Sequence, residues 1–287
     1  MSAPTPRYML ANGVRFAYFE EGAGPLVLLL HGFPDTAHSW DAVRPALAAA
    51  GYRAVSPFTR GYFPTAVPDN GAYDTVTLGC DALALITALG AESAVIVGHD
   101  WGAATAYAAA VLDPKRVSFL LTVATPHPGA VRPFPRVVWG VRHMYAFQSR
   151  RAEQFVRADD FAYIDTLVRR WSPSWHVPED ETRAVKQAFA QPGCLTGALG
   201  YYRAIRLNAP KALRHRITVP SAVFCGDDDP VLRLSDYERA RSHYAGAYEI
   251  IRMPGGHFLH REYPEQFIRE LLRVLPPPPA RTSLPNL

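Results

Sequence analysis

Three residues that could make and break an ester stand in this chain in the order aspartate, aspartate, histidine. The first is Asp100, framed by glycines in Gly98-His99-Asp100-Trp101-Gly102. Before it, Ala94-Val95-Ile96-Val97 is a short β-branched run that reads as a buried strand. After it, Ala103 to Leu112 is rich in helix formers and is closed by Asp113-Pro114. The pentapeptide therefore marks a turn from strand to helix. Such a turn strains its central residue and leaves no room for side chains at 98 and 102. It presents that residue near the positive end of the helix. The layout is G-x-S-x-G with aspartate in place of serine. A carboxylate is ionised at neutral pH and can attack an sp³ carbon with no base to activate it. The plainer alternative is a glycine-rich turn with Asp100 as a helix cap.

An ester formed on Asp100 must also be broken, which takes water, a base and a group that orients the base. An acid and then a histidine are expected after the nucleophile, on loops that follow late strands. Gly226-Asp227-Asp228-Asp229-Pro230 follows an apolar run ending at Cys225, and Gly255-Gly256-His257-Phe258 follows one ending near Arg252. Two glycines and an aromatic around His257 suit a base held on a tight loop; His260, nearer the last helix, is the competitor. Asp229 is the expected acid, with Asp227 and Asp228 read as solvated turn residues. No histidine or spaced carboxylate accompanies the three aspartates, so a metal is not expected there. No cofactor is expected either.

The elements that must position these groups alternate. Val14–Glu20 reads as an edge strand after the turn at Asn12-Gly13. Leu26–Leu30 is apolar throughout and reads as a central strand covered on both faces. It runs into His31-Gly32-Phe33-Pro34. A helix over Ser39–Ala50, a strand over Tyr52–Ser56, a loop over Pro57–Ala72 and a helix over Asp74–Leu89 follow. Val117–Val123 is a further parallel strand. Beyond Thr125 the prolines at 126, 128, 133 and 135 mark an exit from the sheet. A long helical, aromatic-rich stretch precedes strands at Ser221–Cys225 and Tyr248–Arg252, a helix over Pro264–Leu275, and a proline tail expected to fray. The pattern is that of an α/β sheet domain, residues 1–127 and 213–287, with a helical cap inserted at 128–212.

Composition narrows the class. Of 287 residues, 48% are hydrophobic and 20% charged, ordinary for a soluble enzyme. Thirty basic against twenty-six acidic side chains leave +4 with no basic block, so nucleic acid is not an expected partner. The loose group of arginines from 132 to 157 fits a solvated face. Three widely spaced cysteines and no apolar signal segment suggest a reducing, cytoplasmic setting. The strongest local apolar run, Leu26–Leu30, is too short to cross a bilayer, and no membrane partner is expected.

Taken together, His31-Gly32-Phe33-Pro34, the pentapeptide at 98–102, Gly226-x-x-Asp229-Pro230 and Gly255-Gly256-His257-Phe258 resemble an epoxide hydrolase of the α/β-hydrolase fold, over essentially the whole chain. The resemblance implies a mostly parallel eight-stranded sheet flanked by helices, with Asp100 as nucleophile, His257 as base and Asp229 as its orienting acid. It implies an oxyanion hole from the backbone N–H groups of Phe33 and Trp101. It also implies two ring-opening acids in the cap, usually tyrosines. Gly200-Tyr201-Tyr202-Arg203 points to Tyr202. In His143-Met144-Tyr145-Ala146-Phe147-Gln148 a histidine replaces the first tyrosine, as in the variant resembling Cif. His143 is then the partner, with Tyr145 as fallback. Tyr145, Trp139, Phe147 and Phe258 would line the pocket. The partner would be a small-molecule epoxide, with a homodimer left open.

A dehalogenase shares the Asp nucleophile, His base and ester, and prefers indole N–H donors around the departing halide; Trp101, Trp139, Trp171 and Trp175 keep that alternative open. A serine esterase is disfavoured because no serine occupies position 100. A hydrolase-fold protein that only binds a ligand is a third reading, in which Asp100→Asn would cost nothing.

Overall fold

The computed structural model describes residues 5–205 and 210–278. Eight strands are present: β1 (Arg7–Ala11), β2 (Val14–Gly22), β3 (Leu26–Leu30), β4 (Arg53–Pro57), β5 (Ala94–His99), β6 (Val117–Val123), β7 (Ser221–Gly226) and β8 (Tyr248–Met253). They form one sheet in the order β1-β2-β4-β3-β5-β6-β7-β8. β2 runs antiparallel to both β1 and β4, and the other pairs are parallel. Val14–Glu20 is thus not an edge strand: β1, short and largely exposed, covers it. Arg7-Tyr8-Met9-Leu10-Ala11 is only five residues long and lacks the polar-apolar alternation that would announce a strand on its own.

Helices α1 (Val43–Ala49), α2 (Thr75–Ala88) and α3 (Trp101–Leu112) flank the sheet. The helix expected over Ser39–Ala50 is divided: a 3-10 turn at Ala37–Trp40 precedes α1. Pro45 has no N–H to donate, which suits it to the first turn of a helix starting at Val43. α2 matches its expected span because Asp74 caps it, accepting from the N–H groups of Val76 and Thr77.

Between β6 and β7 the chain leaves the sheet for α4 (Pro135–Gly140), α5 (Arg142–Ala146), α6 (Ala152–Trp171), α7 (Arg183–Ala190) and α8 (Cys194–Arg203). No strand interrupts them among the described residues. α6 is broken inside, with Asp159, Asp160 and Phe161 at φ of 50°, 52° and 59°. These helices lie within the stretch 128–212 expected to form a cap. Residues 206–209, just before its expected end at 212, lie outside the described residues, as does the tail from 279. α9 (Leu234–Ala240), α10 (Leu259–Glu262) and α11 (Pro264–Val274) complete the chain. No helix among the described residues is long and apolar enough to cross a membrane.

Apolar side chains pack on both faces of the sheet, and a third cluster joins Phe33, Phe58, Tyr62 and Phe258 to the cap residues Phe147, Trp171, Phe189 and Tyr202. At the centre, β5 meets α3 with no slack. A Cβ on Gly102 would lie 2.1 Å from the Leu30 carbonyl oxygen, and one on Gly98 would lie 2.3 Å from that of Gly102. Gly102→Ala should therefore cost at least ~3 kcal/mol, as overpacking against backbone does. Gly90→Ala is the control: its φ is +74° but nothing lies within 4 Å of the added carbon, so only the left-handed backbone penalty of about 1 kcal/mol applies. Thermal melting of the two variants should separate them clearly.

Candidate active site

Asp100 is the single residue between β5 and α3, held at φ 53° and ψ −116°. That conformation is strained for any side chain bearing a Cβ. The carboxylate lies against the His31–Pro34 loop, so closely that a Cβ on Gly32 would fall 2.4 Å from that of Asp100. Phe33 N–H donates to Asp100 Oδ1 at 2.8 Å. The Trp101 N–H, first in α3, donates to no backbone carbonyl outside its helix among the described residues. The loop is held from behind by His31, whose Nδ1–H donates to the Gly32 carbonyl while Nε2 accepts from Thr59 N–H. Burial lowers the pKa of His31 to about 4, in keeping with that neutral tautomer.

His257 stands between two carboxylates: Nε2 is 3.7 Å from Asp100 Oδ2, and Nδ1 is 3.8 Å from Asp229 Oδ2. Both spacings exceed an ordinary hydrogen bond, as is common in a resting site. Asp229 is fixed through its other oxygen, which accepts from Val231 and Leu232 N–H at 2.7 and 2.9 Å. Its Oδ2 is buried with no donor within hydrogen-bond reach among the described residues. The other two aspartates are exposed; Asp227 pairs with Arg252, and Asp228 accepts from Gly255 N–H.

Burial alone would lower the pKa of His257, but the two carboxylates outweigh it and raise it to about 9. Asp100 shows the complement. Burial would raise its pKa, yet His257 and the Phe33 N–H hold it below the usual carboxylate range. About 23% of the Asp100 side-chain surface is open, more than that of His257 beside it.

Tyr202, on α8, packs over the residues that flank the Asp100 carboxylate. Its ring meets Trp101 at 5.2 Å, Phe33 at 5.4 Å and Phe147 at 5.0 Å, all edge to face. Its hydroxyl is buried and makes no hydrogen bond of ordinary geometry among the described residues, with the Trp101 side chain as the nearby donor that acts on it. Burial, and then the charge on Asp100, keeps that hydroxyl protonated well above the ordinary phenol range. The neighbouring Tyr201 hydroxyl turns away and donates to the Arg60 carbonyl at 2.8 Å. His143, on α5, lies 5.5 Å from the Tyr202 ring and 4.8 Å from that of Trp171. Burial lowers its pKa to about 4, so it faces the site as neutral imidazole, not imidazolium.

Of the expected lining residues, Phe147 and Phe258 are fully buried in the cluster beneath the cap. Trp139 and Tyr145 do not join them: 69% and 71% exposed, they sit on the outer side of α4 and α5. On the short helix α5, burying His143 turns the residue two positions on to the opposite side. Sequence reading gave no role to Tyr62, a buried phenol edge-on to His31, and considered Trp171, whose ring meets His257 at 5.4 Å, only as an indole for a departing halide. Both signal themselves only as aromatics in segments of unknown packing. A cavity of about 630 Å³ opens on the outer cap between Asp160–Phe161 and α7, away from Asp100.

This geometry has known relatives. A model of the α/β hydrolase fold matches residues 25–264. The chain belongs to the α/β-hydrolase fold family. Among its α/β-hydrolase relatives, epoxide hydrolase A of Mycobacterium tuberculosis is 32% identical, across 96% of this chain and 98% of the relative. An epoxide hydrolase of Caballeronia sordidicola is 31% identical, across 92% and 91%. The solved epoxide hydrolase of Vigna radiata superposes with a TM-score of 0.80 at 28% identity, across 94% and 97%.

The raised pKa of His257 has a consequence for stability. The folded state favours the protonated ring, so the contribution is complete below pH 6.5, the ordinary value, and is lost as pH climbs through about 9. Unfolding free energy should fall by on the order of 2 kcal/mol over that window. His257→Gln should remove most of the slope in denaturant titrations at pH 6, 7.5 and 9.

Proposed function

We propose that this chain is an epoxide hydrolase that forms its ester on Asp100. The supporting observation is a buried Tyr202 hydroxyl with no hydrogen bond of ordinary geometry among the described residues, on a ring packed against Trp101 and Phe33 and close enough to Asp100 to feel its charge. An orphaned buried hydroxyl costs roughly 1–3 kcal/mol, which an oxygen-bearing ligand would offset. Names of relatives agree with this reading. The dehalogenase alternative loses one candidate donor, since Trp139 faces solvent, while Trp101 and Trp171 stay beside Tyr202 and His257.

In the reading we favour, Asp100 Oδ2 attacks an epoxide carbon and the C–O bond breaks. Tyr202 donates its proton to the oxygen as negative charge gathers there. His143, being neutral, contributes a hydrogen bond rather than a full proton. Ester formation then removes the charge of Asp100, the strongest influence raising the pKa of His257. The imidazolium sheds its proton, which balances the one Tyr202 has given up. Neutral His257, oriented by Asp229, next takes a proton from water. The resulting hydroxide attacks the acyl carbon, and the Phe33 and Trp101 N–H groups hold the oxyanion. The tetrahedral intermediate expels the diol oxygen, which takes back the proton from His257. Residues 128–212 act as the cap that supplies Tyr202 and His143, and the remainder as the core that supplies the triad. No step calls for a metal or cofactor.

Two outcomes are expected. His257→Gln should stall after the first half-reaction and leave an adduct of substrate mass on the peptide containing Asp100. Tyr202→Phe should lower kcat for styrene oxide by ~100-fold or more, in line with loss of a general acid. Intact Asp100 peptide from the first variant under turnover conditions, or halide release with no diol from the wild type, would refute the proposal.

A further inference from the structure

The backbone that carries His257 is anchored to the cap rather than to the sheet alone. His257 N–H donates to the Trp171 carbonyl at 2.9 Å, and Phe258 N–H donates to Ser172 Oγ at 3.0 Å. Trp171 ends α6 and Ser172 follows it, fully buried. The approach is close enough to require glycine: a Cβ on Gly256 would lie 2.5 Å from the Trp171 oxygen and 2.6 Å from Ser172 Cα. From the core side, His99 Nε2–H donates to the His257 carbonyl at 2.9 Å. The base therefore hangs between the cap on its N–H side and the residue before Asp100 on its carbonyl side.

One turn further on, a second tie repeats the pattern. Arg261 donates through Nη1 to Asp35 Oδ2 at 2.6 Å, and through Nη2 to the Glu181 carbonyl at 3.0 Å and its carboxylate at 2.5 Å. Asp35 follows the loop that carries Phe33, and Glu181 belongs to the stretch between α6 and α7. Cap segment 171–181 thus grips segment 257–261 at both ends. Meanwhile the His257 ring is 3.7 and 3.8 Å from its two carboxylates, too far for a hydrogen bond with either. A sub-ångström change in the anchors decides what the ring can reach.

We propose that Ser172 is a positioning residue for the base, so that the seating of the cap sets the reach of His257. It follows that the water step depends on Ser172 and the attack by Asp100 does not. This rests on the reading of the site as an epoxide hydrolase, so the test has one arm that needs no substrate.

In that arm, amide hydrogen exchange is compared between wild type and Ser172→Ala. Exchange at His257 and Phe258 should rise ~10-fold, with β5 unchanged, as for loss of a local anchor. In the second arm, rapid-quench mass analysis follows the Asp100 ester formed with styrene oxide. Ester hydrolysis in Ser172→Ala should slow by about tenfold while ester formation stays within about twofold. kcat and KM should then fall together. Glu181→Gln should give the same split in milder form. Unchanged exchange at 257–258 would overturn the proposal whether or not any epoxide is opened. Equal slowing of both steps would overturn it too, by showing general structural damage. A wild type that forms neither ester nor diol would sink the functional reading, and the exchange result would still decide the anchoring role.

Discussion

One backbone constraint governs the molecule. A carboxylate can look out from the end of a fully buried sheet only if the chain passes from strand to helix through a single residue. Asp100 does so at φ 53° and ψ −116°. That turn exists because Gly98 and Gly102 let β5, α3 and the end of β3 approach to distances that any Cβ would forbid. The strain, on the order of 1–3 kcal/mol, is held in place by the packing of β3, β5 and α3, where every residue of β3 and β5 is buried. The Phe33 N–H and the His257 ring then meet the carboxylate from two other loops.

Electrostatics divides the proposed labour among these groups. His257 is the ring that favours its proton, because two carboxylates flank it. His31, His99 and His143 are equally enclosed but lack such partners at contact distance, and burial keeps each of them neutral. Neutral rings can serve as fixed donors and acceptors without adding charge near Asp100. The positive charge at rest is thus concentrated on the one group whose proton the proposed cycle needs to move. The cap meanwhile supplies an apolar roof of Phe147, Trp171 and Tyr202, in which a phenol is held un-ionised beside the carboxylate.

What could be read in advance was whatever the chain encodes locally. The glycines at 98 and 102, the loops carrying Asp229 and His257, and the period-two and apolar runs of the central strands all announce themselves within a few residues. Fold family follows from the order of these pieces; seven of the eight strands show in local patterning, and the count of eight is what the resemblance implied. Three features were not readable. β1 is too short and too exposed to stand out, and Pro45 moves the start of α1. The cap has no such local grammar. Whether Trp139 and Tyr145 face in or out depends on how α4 and α5 roll against their neighbours, and both face out. The contacts of Trp171, Ser172 and Arg261 with the base segment join residues roughly eighty to ninety positions apart or more, and no sequence period reports them.

The central claim concerns which bond water breaks, and a single turnover in heavy-oxygen water examines it directly. With enzyme in excess over epoxide, the diol released should contain no heavy oxygen. The peptide bearing Asp100 should gain one heavy atom, about two mass units, since water enters at the acyl carbon of the ester. Heavy oxygen in the first-turnover diol with an unlabelled Asp100 would mean that water attacks the epoxide itself, and the covalent account would be wrong.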